Sequence, residues 1–275
     1  MQDRRRADET WRAHLRDQRG FAPPLYRYPA SEGVTDLIRS FWVPVWDLPR
    51  GEVSRQRVLN HPVANLVVGN EYAQVVGPRP NLTGKELRGR GWVFGAMLAP
   101  ATGMLLTGRP IKEIVDTDVD LVSMTTVPAQ QLIRDVRTLM TPDPHSVDAH
   151  LRAIRHVEEV LAHTLSIDDE GLLINAVVEF CESRPEVVRV TQICREFAVS
   201  ERSLQRLASR RIGFSPKWLI QRRRLHEAAL NLAHRDAPAL ADLAVDLGYA
   251  DQSHFIRDFK AVTGMTPAAY SAEPR

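Results

Sequence analysis

The sequence predicts an α+β chain in two parts: an N-terminal β-sandwich that runs into helices, then an all-helical C-terminal domain with two helix-turn-helix units. Three observations carry this expectation. Residues 1–110 hold 11 of the 15 glycines and 10 of the 18 prolines, which breaks that half into short segments. Beyond Pro110 the apolar spacing becomes helical. A helix-turn-helix pattern then occurs twice, 51 residues apart.

Taken in order, residues 1–20 form an arm, "MQDRRRADETWRAHLRDQRG", whose charges leave no apolar core for a signal peptide. Candidate strands follow at Val34–Val45, Ser54–Leu59, Ala64–Val68, Ala73–Gly77, Trp92–Leu98 and Thr102–Leu106. Short strands between turn residues read as an all-β sandwich or half-barrel. Two helices come next, Ala129–Thr141 and Ser146–Leu165, the second with Val147, Leu151, Ile154 and Leu161 on one stripe. That stripe is the expected dimer contact. The boundaries that follow are 1–20 for the arm, 21–125 for the strand-rich domain, 126–166 for the helical dimerisation and linker region, and 167–275 for the C-terminal domain.

In the C-terminal half, Leu240, Leu243, Ala244 and Leu247 share one helical face. Gly248 suits the left-handed position that ends a helix, and Asp251 or Ser253 caps the next one. Phe255 and Phe259 then point inward, leaving Gln252, Ser253, His254 and Arg257 on other sides. Moving back 51 residues places Phe255 on Leu204, Arg257 on Arg206 and Gly264 on Gly213. The earlier copy has a first helix over Thr191–Ala198, and Ser200 caps its second. Each copy exits alike, Gly213-Phe-Ser-Pro216 and Gly264-Met-Thr-Pro267, where Gly stops one helix and Ser or Thr before Pro starts another.

The ordered set Ser200, Arg202, Leu204, Arg206, Gly213, Ser215, Pro216, Arg224, Ala228, then Ala244, Gly248, Tyr249, Asp251, Ser253, Phe255, Arg257, Phe259, Lys260, Gly264, Thr266, Pro267 and Tyr270 resembles the DNA-binding domain of AraC/XylS-type transcription regulators. The resemblance spans roughly residues 170–271, with Ala208 where Phe is usual and Trp218 where Tyr is common. It implies one long helix, about Pro216 to His234, joining the two units, and double-stranded DNA as partner. A homodimer, a small-molecule effector and a contact with RNA polymerase are expected with it; reduced cysteines and the lack of an 18-residue apolar run set the expectation of a cytoplasmic location without membrane contact. The N-terminal half resembles the cupin-like sensing domain of such regulators, through "GWVFGAMLAPATGMLLTGRPIKEIVDTDVDL"; Ala99 and Ala101 depart from the Arg or Gly that one subgroup shows there.

Charge supports a nucleic-acid partner. Residues 184–275 carry 15 Lys+Arg and 10 Asp+Glu, a net of +5; the remainder has 36 − 15 = 21 against 34 − 10 = 24, a net of −3. The excess is tightest over 195–224, with nine cations and two acids. Geometry assigns base edges to Arg202, Gln205 and Arg206 in the first unit and to Gln252, Ser253, His254 and Arg257 in the second. Ser200, Ser209, Arg210, Arg211, Lys217, Arg222 and Arg223 are candidates for phosphate, with Ser203 beside them.

Trp42, Trp46, Tyr72 and Trp92, with Phe94 and His61, are candidates for an effector cavity, although such aromatics are more often sandwich core. No cofactor and no metal are expected. His61 lacks a His-x-His partner, and His156, Glu159 and His163 read better as a solvated face. Cys181 and Cys194 are expected to be reduced core residues. No catalytic constellation assembles: His226-Glu227 starts like a zinc-protease motif, but Leu230 replaces its second ligand. The alternative reading is a cupin-like binding protein or enzyme with an accessory DNA-binding domain.

Overall fold

The computed structural model describes residues 14–15, 21–59, 61–124, 126–232 and 238–272. The expected arm over 1–20 and the expected end of the long helix near 234 lie largely outside the described residues.

The first half is built from two antiparallel sheets. Strands β1 (His14–Leu15), β4 (Val53–Leu59) and β7 (Leu82–Arg88) form one, in the order β1-β4-β7. Strands β2 (Leu25–Pro29), β3 (Ile38–Asp47), β5 (Asn65–Gly69), β6 (Ala73–Val76), β8 (Arg90–Leu98) and β9 (Asp118–Asp120) form the other, in the order β2-β3-β8-β5-β6-β9. The β3/β8 ribbon pairs as far as Asp47 and Arg90, and the β4/β7 ribbon resumes at Val53 and Arg88. Between them the chain bends at Gly89 (φ +53°), whose carbonyl accepts the Leu48 N–H at 2.9 Å.

Alternation along β3 divides its side chains. Phe41, Val43 and Val45 enter the main core with Phe94, Ala96 and Leu98 of β8. Ile38 joins the same side because the register shifts between Ile38 and Ser40. Helices α2 (Ala129–Met140) and α3 (Val147–Thr164) close this core with Leu132, Val136, Ala153, Val157 and Leu161, all fully buried. The Ser146 side chain accepts the Ala149 N–H and caps α3. Buried Glu158 of α3 accepts from both the backbone N–H and the hydroxyl of Ser31, which ties the end of β2 to the helix.

Four expectations change. Thr102–Leu106 is helical, as α1 (Thr102–Thr107): the chain there reads as a short apolar run, but Gly108 sits at φ +65° and donates to the Met104 carbonyl, a helix C-cap. Val34 ends a 3-10 turn, and β3 starts only at Ile38. Strands β2, β7 and β9 carry weak alternation and were not expected. On α3, Ile154 and Leu161 are buried, whereas Val147 and Leu151 of the same expected stripe lie exposed.

The second half is helical: α4 (Asp169–Ser183), α5 (Val190–Glu196), α6 (Glu201–Arg211), α7 (Pro216–Asn231), α8 (Leu240–Asp246), α9 (Gln252–Thr263) and α10 (Pro267–Ser271). It has two cores. One joins α4, α5, α6 and the start of α7; the other joins the end of α7 with α8, α9 and α10. The halves meet closely. Ala101 belongs to the first helical core, and Leu82 packs against the second. Asn175 of α4 accepts from the Ala101 N–H and donates to the Asp36 carbonyl. Gly213 lies at φ +82°, and a Cβ there would stand 2.4 Å from Val115 Cγ2, so only glycine fits that contact. Among the described residues no helix is long and apolar enough to cross a membrane.

Candidate nucleic-acid interface

Each candidate recognition helix is oriented by its cap and its inward face. In the first unit Ser200 accepts the Ser203 N–H at 3.1 Å and opens α6. Leu204, Leu207 and Ala208 are buried at spacings of three and one. The opposite side therefore presents Arg202, Ser203, Gln205 and Arg206, all exposed. In the second unit Asp251 accepts the His254 N–H at 2.8 Å and opens α9. Phe255 and Phe259 are fully buried, each contributing roughly 1.5–3 kcal/mol. That turns Gln252, Ser253 and Arg257 to solvent. His254 stands edge-on to Tyr249 at 5.2 Å, with its Nε2 3.7 Å from Asp258.

The two turns differ by one residue. Between the caps, the first runs Phe197-Ala198-Val199-Ser200 and the second Leu247-Gly248-Tyr249-Ala250-Asp251. The left-handed position is Gly248 (φ +74°) in the second and Ala198 (φ +51°) in the first.

The phosphate candidates separate into two groups. Lys217, in the first turn of α7, is exposed; Ser209 is half-buried. Arg210 pairs with Glu170, and Arg211, with its side chain 3% exposed, pairs with Asp168. Burial works against the Asp168 carboxylate, but the hydrogen bonds from Arg211 and the Gly171 N–H outweigh it and hold Asp168 below its usual range. Arg222 is 2% exposed and donates to the Pro80 carbonyl at 3.2 Å. Arg223 donates to the Pro185 and Val187 carbonyls. In this arrangement Arg210, Arg211, Arg222 and Arg223 hold protein groups, which departs from the phosphate role expected of them. The acidic start of α4, Asp168-Asp-Glu170, is the sequence signal that would have paired Arg210 and Arg211.

The effector candidates do not converge on one cavity. Trp42, Trp46 and Tyr72 share the sheet face opposite the main core. Each ring lies on a glycine: Trp42 on Gly95, Trp46 on Gly91 and Tyr72 on Gly69. The Trp42 indole donates to Asn65, and that of Trp46 to the Arg88 carbonyl. Lys85 of β7 sits 4.9 Å over the Tyr72 ring, so this face looks toward the smaller sheet. Buried Gln56, opposite Lys85 in register, faces the same way. Trp92 lies instead in the main core with Phe94, as alternation along β8 requires. His61 stands at the junction of the two halves, its ring 4.8 Å from that of His226. Burial pulls the His61 pKa down to about 4.

His156 lies 3.0 Å from Asp135, and His163 bonds the Glu159 carbonyl, so this helical face is occupied by local contacts. Among the described residues no group of three or more His, Cys, Asp or Glu could hold a metal ion. Cys181 and Cys194 are both free thiols; burial pushes the Cys181 pKa up to about 12.

Residues 193–273 match the helix-turn-helix domain family, and residues 26–120 match a domain of unknown function, DUF6597. Over 101 residues the chain is 30% identical to "Probable transcription factor PqrA" of Proteus vulgaris, covering 36% of this chain and 82% of that protein. Among solved structures, an apo variant of ToxT from Vibrio cholerae aligns with 86% of this chain and 98% of its own, at 15% identity and a TM-score of 0.42. The AraC-like transcriptional activator CuxR aligns with 85% of this chain and 98% of its own, at 11% identity and a TM-score of 0.30.

Proposed function

The chain belongs to the AraC family of helix-turn-helix transcription regulators, and on that premise we propose that it reads promoter DNA through α6 and α9, each set in one of two successive major grooves. The observation that carries this is the matched pair of capped helices, each with its apolar side buried and a polar, Arg-bearing side exposed near its N-terminus. Arg202 and Arg206, like Arg257, reach guanine edges; Gln205 and Gln252 suit adenine. Exposed Lys217 is a phosphate contact. Residues 167–275 are the DNA-binding domain in this reading.

Residues 21–125 are a cupin-like sensing domain in this reading, and 126–166 carry the dimer contact. A small effector enters the face that holds Trp42, Trp46 and Tyr72. It acts by favouring one setting of the two halves over the other, within the limit of its differential affinity. A homodimer places four recognition helices on one operator and raises apparent affinity through effective concentration. The setting is cytoplasmic, with RNA polymerase as the downstream partner.

Footprinting of the full chain on duplexes selected by it from a randomised pool tests the reading. The expected pattern is two protected segments per chain on one face of the duplex, their centres about 10 base pairs apart. Protection limited to a single groove segment per chain would refute it.

A further inference from the structure

Arg222, Arg223 and Arg224 are consecutive on α7, so their side chains leave the helix about 100° apart. Each meets a different body. Arg222 is buried against the N-terminal half through the Pro80 carbonyl, with its guanidinium 5.5 Å over the Trp218 ring. Arg223, with its side chain 8% exposed, donates to the Pro185 and Val187 carbonyls in the turn before α5. Arg224 lays its guanidinium 5.4 Å over the ring of Tyr249, in the turn before α9.

The turn before α5 and the turn before α9 also touch each other. A Cβ on Gly248 would stand 3.4 Å from Arg224 Nη2 and 3.5 Å from Val188 Cγ1, which places Val188, just before α5, against the turn before α9. Tyr249 is 6% exposed and packs on His254 and Phe255 of the second recognition helix. Among the described residues neither the Tyr249 hydroxyl nor Arg224 Nε has a hydrogen-bond partner. The contact between half-buried Arg224 and Tyr249 is therefore held through the ring face.

We infer that Arg223 and Arg224 are positioning residues that set the spacing and angle between the two recognition helices, and that Arg222, one step along the same turn, ties that setting to the N-terminal half. Arg223 fixes α7 to the first unit, whose α5 and α6 share one core. Arg224 fixes α7 to the second, whose α8 and α9 share another. None of the three needs to touch DNA to govern how well it fits. The inference rests on the two-groove reading above.

The test uses the full chain and the duplexes selected by the wild type, each remade with one base pair inserted or removed between the two protected segments. The wild type is expected to bind the parent spacing best. Arg224→Met and Tyr249→Leu, both checked for folding by circular dichroism, should bind the parent duplex about tenfold more weakly and lose most of the preference for its spacing. Tyr249→Phe keeps the ring and should behave as wild type. The salt slope should be unchanged in Arg224→Met, because no phosphate contact is lost. If Arg224→Met does not fold, Tyr249→Leu and Arg224→Lys carry the test, with Lys retaining the preference and Leu losing it. Folded variants that keep the wild-type spacing preference would overturn the inference while leaving the two-groove reading intact. So would a uniform loss on every duplex with a slope reduced by about 0.9. A wild type indifferent to spacing would overturn the two-groove reading and the inference together.

Discussion

The rings of His61 and His226 lie 4.8 Å apart across the junction of the two halves, although 165 positions separate them in the chain. Arg39, Arg222, Arg27 and Glu182 act on His61 electrostatically, but burial is the largest influence. The ring is therefore neutral at pH 7.

This makes docking of the two halves sensitive to acid. When the junction opens, His61 returns toward its ordinary pKa of 6.5 and takes up a proton that the closed junction refuses. Its contribution is complete above about pH 6.5 and is lost as pH falls toward 4. At pH 5 the loss is about 2 kcal/mol. Thermal unfolding of the wild type and His61→Leu at pH 7 and pH 5 checks this: the wild type should lose more stability than the variant on acidification. Equal losses would remove His61 from the account.

On DNA, Arg257→Ala should weaken binding to a selected duplex by roughly 1–3 kcal/mol and relax the preference at one base pair, with little effect on scrambled DNA. Lys217→Ala should weaken both alike and reduce the salt slope by about 0.9. Titrations at several salt concentrations separate the two. Matching losses for Arg257→Ala on both duplexes would reassign it to the backbone.

Ala198 occupies a left-handed conformation at φ +51° where the second unit has Gly248. Ala198→Gly should relieve that strain, offset in part by the added freedom of the unfolded chain, for a net gain of roughly 0.5–1 kcal/mol. Denaturant unfolding measures it. A loss of stability would show that the turn is held without strain.

On α3, Val147 is 51% and Leu151 39% exposed, beside Asp148 and Arg152, which pair with each other. Leu151→Glu should convert a dimer to a monomer with little change in folding, since the side chain lies outside the core. Sedimentation with circular dichroism checks both parts; a folded variant that stays dimeric places the interface elsewhere.

The C-terminal half was legible in the sequence because its signals are local. Ser200, Ser215, Asp251 and Thr266 cap helices within three residues of themselves. Gly213 and Gly264 both mark their turns by a positive φ, and the doubling of the pattern removed the ambiguity of a single hairpin. In the N-terminal half, alternation puts Trp42 and Trp46 on one face without saying which face is core, and the shorter run Thr102–Leu106 was open to either period. The destinations of the arginines were decided only in the tertiary structure. Along 195–224 nine cations form one basic stretch, yet Arg206 faces solvent, Arg211 meets Asp168, and Arg222 meets Pro80 across 142 positions. Composition sets the charge of a helix; a rotation of 100° per residue and the body docked in that direction decide which charges remain for DNA.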